Sequence, residues 1–145
     1  MNLIVDASVA IKWFVTENLH QEARRLLEGR DSLHAPDLLI VELANMAWKK
    51  AVRREIDSRQ ARHIARACRD DIPVLWPSVD LVDRALEISL RLEHPVYDCV
   101  YIACAEAAQG VLVTADERLC AAAKRTKFDA LVKHLSRMAV ASGPP

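Results

Sequence analysis

Glycine is scarce in this chain: three residues in 145, at Gly29, Gly110 and Gly143. Neither GxGxxG nor the GxxxxGKS/T phosphate loop can be written with them, which disfavours dinucleotide and P-loop nucleotide binding. Cysteine is also sparse. Cys68, Cys99, Cys104 and Cys120 contain no CxxC pair, and three of them lie in apolar helical patterns, so they read as buried free thiols. His20, His34, His63, His94 and His134 show no metal-ligand spacing, which argues against zinc. Net charge is absent as well, because 20 Lys and Arg balance 20 Asp and Glu. No global field points to nucleic acid or to a membrane, so any electrostatic function is local. The N-terminal apolar run is broken by Asp6 and Lys12, which argues against a signal peptide. No uncharged apolar stretch is long enough to span a bilayer. The expectation is a soluble, cytoplasmic chain with no membrane partner.

What is present is apolar material, 52% of the residues, enough for one core. There are no internal repeats, low-complexity tracts or interdomain linkers. One domain is expected over residues 1–140, with a disordered tail over 141–145.

The first stretch, NLIVDASVAIKW, organises the rest. Leu3, Ile4 and Val5 form a β-prone run that stops on Asp6, and a helical pattern follows from Ala7. Asn18 is placed to cap a helix ending near Glu28, just before Gly29. Leu33–Ala35 suits a brief strand, and Asp37 can cap a long helix from Leu38 to about Arg54. Ser58–Asp70 is amphipathic, with Arg59, Arg62, Arg66 and Arg69 on its polar face. That row reads as a solvated face in preference to a phosphate track. PVLW (73–76) suits a strand, Ser78 a cap for a helix over Val79–Leu92, and Val96–Ala108 a further helix before Gly110. VLVT (111–114) reads as a second parallel-sheet strand, Asp116 is placed to cap the helix Glu117–Lys124, and a last strand is expected around Phe128–Val132. Strands alternating with helices imply an α/β fold whose mostly parallel sheet is covered on both faces.

Four acids fall at breaks in this pattern: Asp6, Glu42, Asp98 and Asp116. Asp6 ends the first strand and Asp116 follows VLVT, so both belong to the carboxyl edge of a parallel sheet, where ligands sit. Glu42 lies beside an apolar helical stripe, flanked by Leu38, Leu39, Asn45 and Met46. Taken singly, each acid has a bland explanation as a cap, a first-turn acid or a turn residue. Gathered in one cleft, they would repel by roughly 4 kcal/mol per close pair at an effective dielectric near 20. That is a large share of a net stability of about 5 to 15 kcal/mol. Such a cluster needs a cation or protons, and all-oxygen donors select a hard ion such as Mg²⁺ or Mn²⁺.

DASVAIKW, PDLLIVELAN, YDCVYIACAE and LVTADERL, in this order and spacing, closely resemble the PIN-domain ribonucleases, and among them the VapC toxins of toxin-antitoxin pairs. The resemblance runs from Leu3 to about Val132. It implies a three-layer α/β/α sandwich with a central mostly parallel sheet, and a Mg²⁺- or Mn²⁺-dependent endoribonuclease. Asp6, Glu42, Asp98 and Asp116 would be its catalytic and metal-holding residues, with Ser8, Asn45 and Thr114 at supporting polar positions. The implied reaction is in-line hydrolysis of RNA that leaves a 5′-phosphate and a 3′-hydroxyl. Lys12, Lys49 and Lys50 are candidates for RNA-backbone contacts. The resemblance also implies a VapB-type antitoxin and a homodimer. Trp13, Phe14, Met46 and Trp48 are the apolar residues that would suit a helix of that antitoxin, or else belong to the core. The alternative is a catalytically silent PIN-like module that binds nucleic acid or serves assembly. A phosphoacceptor receiver is disfavoured because PVLWPS offers no aspartate on the middle strand. A haloacid-dehalogenase-type phosphatase is excluded because Ser8 stands where a second aspartate is required.

Overall fold

In a computed structural model, which describes residues 1–138, five strands form one parallel sheet in the order β3-β2-β1-β4-β5. In chain order the elements are β1 (Asn2–Val5), α1 (Ala7–Ala10), α2 (His20–Glu28), β2 (Ser32–Pro36), α3 (Leu38–Val52), α4 (Ser58–Asp71), β3 (Val74–Trp76), α5 (Val82–Leu92), α6 (Val96–Ala107), β4 (Val111–Thr114), α7 (Glu117–Ala123) and β5 (Val132–His134). The chain first builds outward from β1 to β2 and β3, then crosses back to β4 and β5. Right-handed crossovers therefore put α1–α4 on one face and α5–α7 on the other, giving an α/β/α sandwich. The order reverses between β1 and β4, so a crevice opens there at the carboxyl edge.

The central strands carry the core, with Leu3, Ile4, Val5, Leu112 and Val113 at most 1% exposed. Helix α6 packs against β1, β2 and β4 and is buried continuously from Cys99 to Ala105. Its last turn feeds β4 from the opposite edge, so a helix of about 18 Å starts at the carboxyl edge. Asp98, in its first turn, is carried there. Helix α3 starts directly after β2, so Glu42 sits one turn from the same edge. No helix of the described residues is long and apolar enough to cross a membrane.

Several local expectations are corrected. Asn18 does not cap α2: Leu19 holds the N-cap in a left-handed conformation (φ 64°) without a side-chain cap. Asp37 stands at the N-cap of α3 but its side chain makes no cap hydrogen bond there, and Ser78 does not cap α5, whose N-cap is Leu81. Instead Ser78 Oγ accepts from Leu38 N (3.0 Å) and Asp37 Oδ1 accepts from Ser78 N (3.0 Å). The two side chains thus tie the start of α3 to the end of β3. A 3-10 turn at Ser78–Asp80 precedes α5, and α3 stops at Val52, short of the left-handed Arg54. Gly110 lies in the turn after α6 as expected, and the left-handed residue of that turn is Gln109 at φ 50°. Gly110 is required because a Cβ there would lie 2.2 Å from the carbonyl oxygen of Asn2. The last strand is later than expected, at Val132–His134, because Phe128 is a buried plug followed by a 3-10 turn. The tail expected over 141–145 lies outside the described residues.

Three of the four thiols follow the sequence expectation, while Cys120 is free but only half-buried. Cys68, Cys99 and Cys104 are buried and free, and burial pushes their pKa values up to about 12, 11 and 12. His34 is a satisfied core histidine, bonded to Ser32 Oγ and accepting from Trp76 Nε1.

Candidate active site

Asp6 is 7% exposed, and every oxygen of its carboxylate is engaged. Its extended backbone makes it the N-cap of α1, where Oδ1 accepts from Val9 N (3.2 Å) and from Ser8 Oγ (2.5 Å). Oδ2 accepts from the fully buried Thr114 Oγ1 (2.5 Å). Each hydroxyl also accepts a backbone N–H from the segment after β4, Ala115 N to Ser8 Oγ (2.9 Å) and Asp116 N to Thr114 Oγ1 (3.0 Å). The two supporting hydroxyls thus stitch the ends of β1 and β4 together across the crevice. Burial dominates the carboxyl and raises its pKa to about 6; the hydrogen bonds from Ser8, Thr114 and Val9 oppose the rise, and the charge of Asp98 adds to it.

Glu42 faces the same region from α3. Burial, with the charges of Asp6 and Asp98, raises its pKa to about 7, against the opposing hydrogen bond from Tyr101. Tyr101 on α6 is 1% exposed and donates its hydroxyl to Glu42 Oε1 at 3.2 Å. Burial and the neighbouring Glu42, Asp6 and Asp98 push that phenol well above its ordinary range. Asp98 Oδ2 lies 2.6 Å from His94 Nε2, one helical turn back. Asp116 uses Oδ1 to cap α7 through Arg118 N (2.9 Å) and Leu119 N (3.4 Å). It meets Asp6 indirectly, through Thr114 and beside Cys120, whose thiol burial and both acids push up.

Asp6, Glu42 and Asp98 are thus in electrostatic contact, while Asp116 borders them with its carboxylate turned to its own helix. Among the described residues, no three His, Cys, Asp or Glu side chains are close enough together to form a finished metal cage. The donor chemistry nevertheless fits a hard divalent ion. It is all oxygen, and among the described residues no Lys or Arg forms an ion pair with any of the four acids.

Sequence reasoning missed Tyr101 and His94, although both sit at helical spacing from Asp98 on the same stretch. Asn45 and Lys49 are exposed on α3. Lys12 and Lys50 are drawn instead to Glu17, at 3.1 and 3.3 Å, and Lys50 also reaches Glu55 at 3.3 Å. Of the apolar set, Trp13 belongs to the core and donates Nε1 to Ala23 O, Phe14 and Met46 are half-buried, and Trp48 is 59% exposed.

The PIN domain family model matches residues 3–125. The chain belongs to the PIN-domain family. Within it, the chain groups with the VapC proteins. Ribonuclease VapC3 of Pyrobaculum aerophilum is 31% identical over 134 residues, spanning 91% of this chain and 98% of that relative. Ribonuclease VapC9 of Mycobacterium tuberculosis is 33% identical over 117 residues, spanning 81% and 87%. Among solved structures, VapC20 of Mycobacterium tuberculosis, a toxin described as cleaving the sarcin-ricin loop, superposes with a TM-score of 0.66. It has 20% identity and covers 83% of this chain and 94% of that one, a likeness of fold. A Pyrobaculum aerophilum protein of known crystal structure gives a TM-score of 0.69 at 24% identity, over 94% and 85%.

Proposed function

We propose that this PIN-domain protein is a Mg²⁺- or Mn²⁺-dependent endoribonuclease acting as the toxin of a VapBC-type pair. The observation that carries the reading is Asp6, buried at the crevice between β1 and β4, where burial and the charge of Asp98 raise its pKa and where its own charge and that of Asp98 add to the burial that raises Glu42. Asp6, Asp98 and Glu42 would hold the ion, with Asp116 turning in from its cap. When bound, the ion supplies Lewis acidity toward the scissile phosphate and lowers the pKa of a water.

The remaining work belongs to the chain. Ser8 and Thr114 fix the orientation of Asp6, Tyr101 holds one oxygen of Glu42, and His94 holds one oxygen of Asp98. Burial lowers the effective dielectric and strengthens each of these contacts. Unpaired RNA is the substrate class that an open crevice can take, since its bases can be splayed out. Exposed Lys49 remains a candidate backbone contact. Lys12 and Lys50 would act through Glu17, by fixing the segment after α1.

An antitoxin helix would lie in the groove of about 500 Å³ bordered by Trp13, Phe14, Ile56, Arg59, Gln60, His63 and Ile64. This mixture of apolar and polar side chains suits an amphipathic helix. A homodimer is part of the same reading.

The test is cleavage of a mixed RNA pool by wild type and Asp98→Asn, with and without EDTA. Wild type is expected to cut only with the divalent ion, and the variant to lose at least a hundredfold in rate. Equal cleavage by both proteins, or indifference to EDTA, would overturn the metal-dependent mechanism, and absence of cleavage by wild type would favour the silent PIN-like module.

A further inference from the structure

Helix α4 turns a row of cations to solvent. Arg59, Arg62 and Arg66 recur at i, i+3 and i+7, are all exposed, and with Ser58 and His63 line a hollow of about 480 Å³. The groove bordered by Trp13, Phe14, Ile56 and Ile64 adjoins it and shares Arg59 and His63 with it. No acid is among the residues lining either hollow. The two form one surface, an apolar trough with a cationic bank along α4.

This segregation of charge is local, since the whole chain is neutral. The acids nearest in sequence are engaged elsewhere or lie beyond the row. Asp57 accepts from Gln60 N (2.8 Å) as the cap of α4, and Glu55 reaches Lys50 at 3.3 Å. Asp70 and Asp71 close the helix at its far end, outside both hollows. Among the described residues, Arg59, Arg62 and Arg66 form no ion pair. Their placement opposes the stability of α4. Like charges repel along one face, and Arg59 stands in the first turn, where the helix dipole disfavours a cation. A partner that brings carboxylates to this row relieves both effects.

The groove beside the row suits a helix better than RNA. An unpaired RNA strand uses open aromatic faces for its bases as well as cations for its phosphates. Trp13 is 6% exposed, and Phe14 is half-buried and packed in T-shaped contact with both Trp13 and His63, at ring-centroid distances of 6.5 and 6.1 Å. The three arginines span about 10 Å of α4, at about 1.5 Å per residue. A second helix lying alongside repeats its side chains at the same interval.

We propose that this surface binds an amphipathic helix of a partner protein, whose apolar stripe fills the groove and whose carboxylates, at helical spacing along one flank, pair with Arg59, Arg62 and Arg66. The proposal rests on the antitoxin reading above and adds the charge and the flank by which this chain tells one helix from another. A helix with the same stripe and lysine on that flank would set like charges across a partly desolvated interface and be rejected.

The test is a displayed library of amphipathic helices whose apolar stripe varies among Leu, Ile, Val and Phe and whose flanks vary among Glu, Gln and Lys. Selected on the full chain, binders should carry Glu over Lys at least tenfold on one flank. A selected peptide should shift the amides of Phe14, Ile56 and Ile64 in NMR. Raising the salt from about 0.05 to about 0.5 M should weaken it at least fivefold. Arg59→Glu, Arg62→Glu and Arg66→Glu together should turn the preference to Lys. The corresponding triple change to Ala should keep RNA-pool cleavage within about threefold, because none of the three belongs to the four-acid site. Helices that bind the groove without preference of sign would overturn this proposal and leave the antitoxin groove standing. No helix bound at those amides would overturn both. Mixed-sequence single-stranded RNA that occupies the same amides in preference to the selected peptide, without divalent ion, would assign the surface to RNA and overturn the proposal as well. If wild type cuts no RNA, the ribonuclease reading alone falls, since the selection reads binding without cleavage.

Discussion

Asp6 shows how one side chain can be both well bonded and destabilising. Three donors hold it, yet burial outweighs them and its pKa rises to about 6. The folded state then binds a proton that the unfolded chain releases near pH 3.8. The stabilising contribution is complete below pH 3.8 and disappears as pH climbs through about 6, a loss of about 3 kcal/mol for this buried group. Glu42, raised to about 7, loses stability over the same direction of pH but is more open to solvent. In EDTA, urea unfolding should therefore report lower stability at pH 7.5 than at pH 5. Asp6→Asn should remove part of that difference and Glu42→Gln a further part. Tyr101 offers a finer check. Its hydrogen bond lowers the pKa of Glu42, so Tyr101→Phe should move the Glu42 carboxyl further up in an NMR titration. The same change should cost about 1 kcal/mol of stability.

Between elements, the joints hold what the sequence concealed. Period and composition were enough to place β1, β4, α3 and α6, because the two strands and α6 are largely buried apolar runs and α3 carries a buried stripe at helical spacing, Leu39, Leu43 and Ala47, and the four acids were visible as interruptions of those patterns. The caps were not visible in the same way. Asp37 and Ser78 each look like the start of their own helix, and only the parallel pairing of β2 with β3 brings them together to serve one another. His94 and Tyr101 were hidden for a related reason. A histidine before a proline and a tyrosine in a buried helix have ordinary uses until the acids of other segments are placed beside them. β5 was misplaced because Phe128 looks like strand but fills the core from a turn. The junction of α6 and β4 carries its own prediction. Gly110→Ala would drive a methyl against the Asn2 carbonyl, 2.2 Å from an ideal Cβ. It should cost about 3 kcal/mol in urea unfolding. Gln109→Gly, at the neighbouring left-handed position (φ 50°), should be tolerated or gain up to about 1 kcal/mol.

At the level of the whole molecule, the acids come from positions 6, 42, 98 and 116, and only the folded sheet gathers them at one edge. The unfolded chain has no comparable site, so an ion that binds there adds its binding free energy to folding. At a hundredfold excess over its dissociation constant, Mn²⁺ should contribute about 2.7 kcal/mol. For a chain of this length that corresponds to a rise in Tm of roughly 8 °C. The rise should be larger at pH 7.5 than at pH 5, because the ion must displace the protons that Asp6 and Glu42 retain at the lower pH. Asp6→Asn and Asp98→Asn should each flatten the response. Arg137→Ala, which leaves all four acids in place, should keep it. A catalytically silent module without an ion site would show no Mn²⁺-dependent rise at either pH, so calorimetry separates the two readings before any RNA is added.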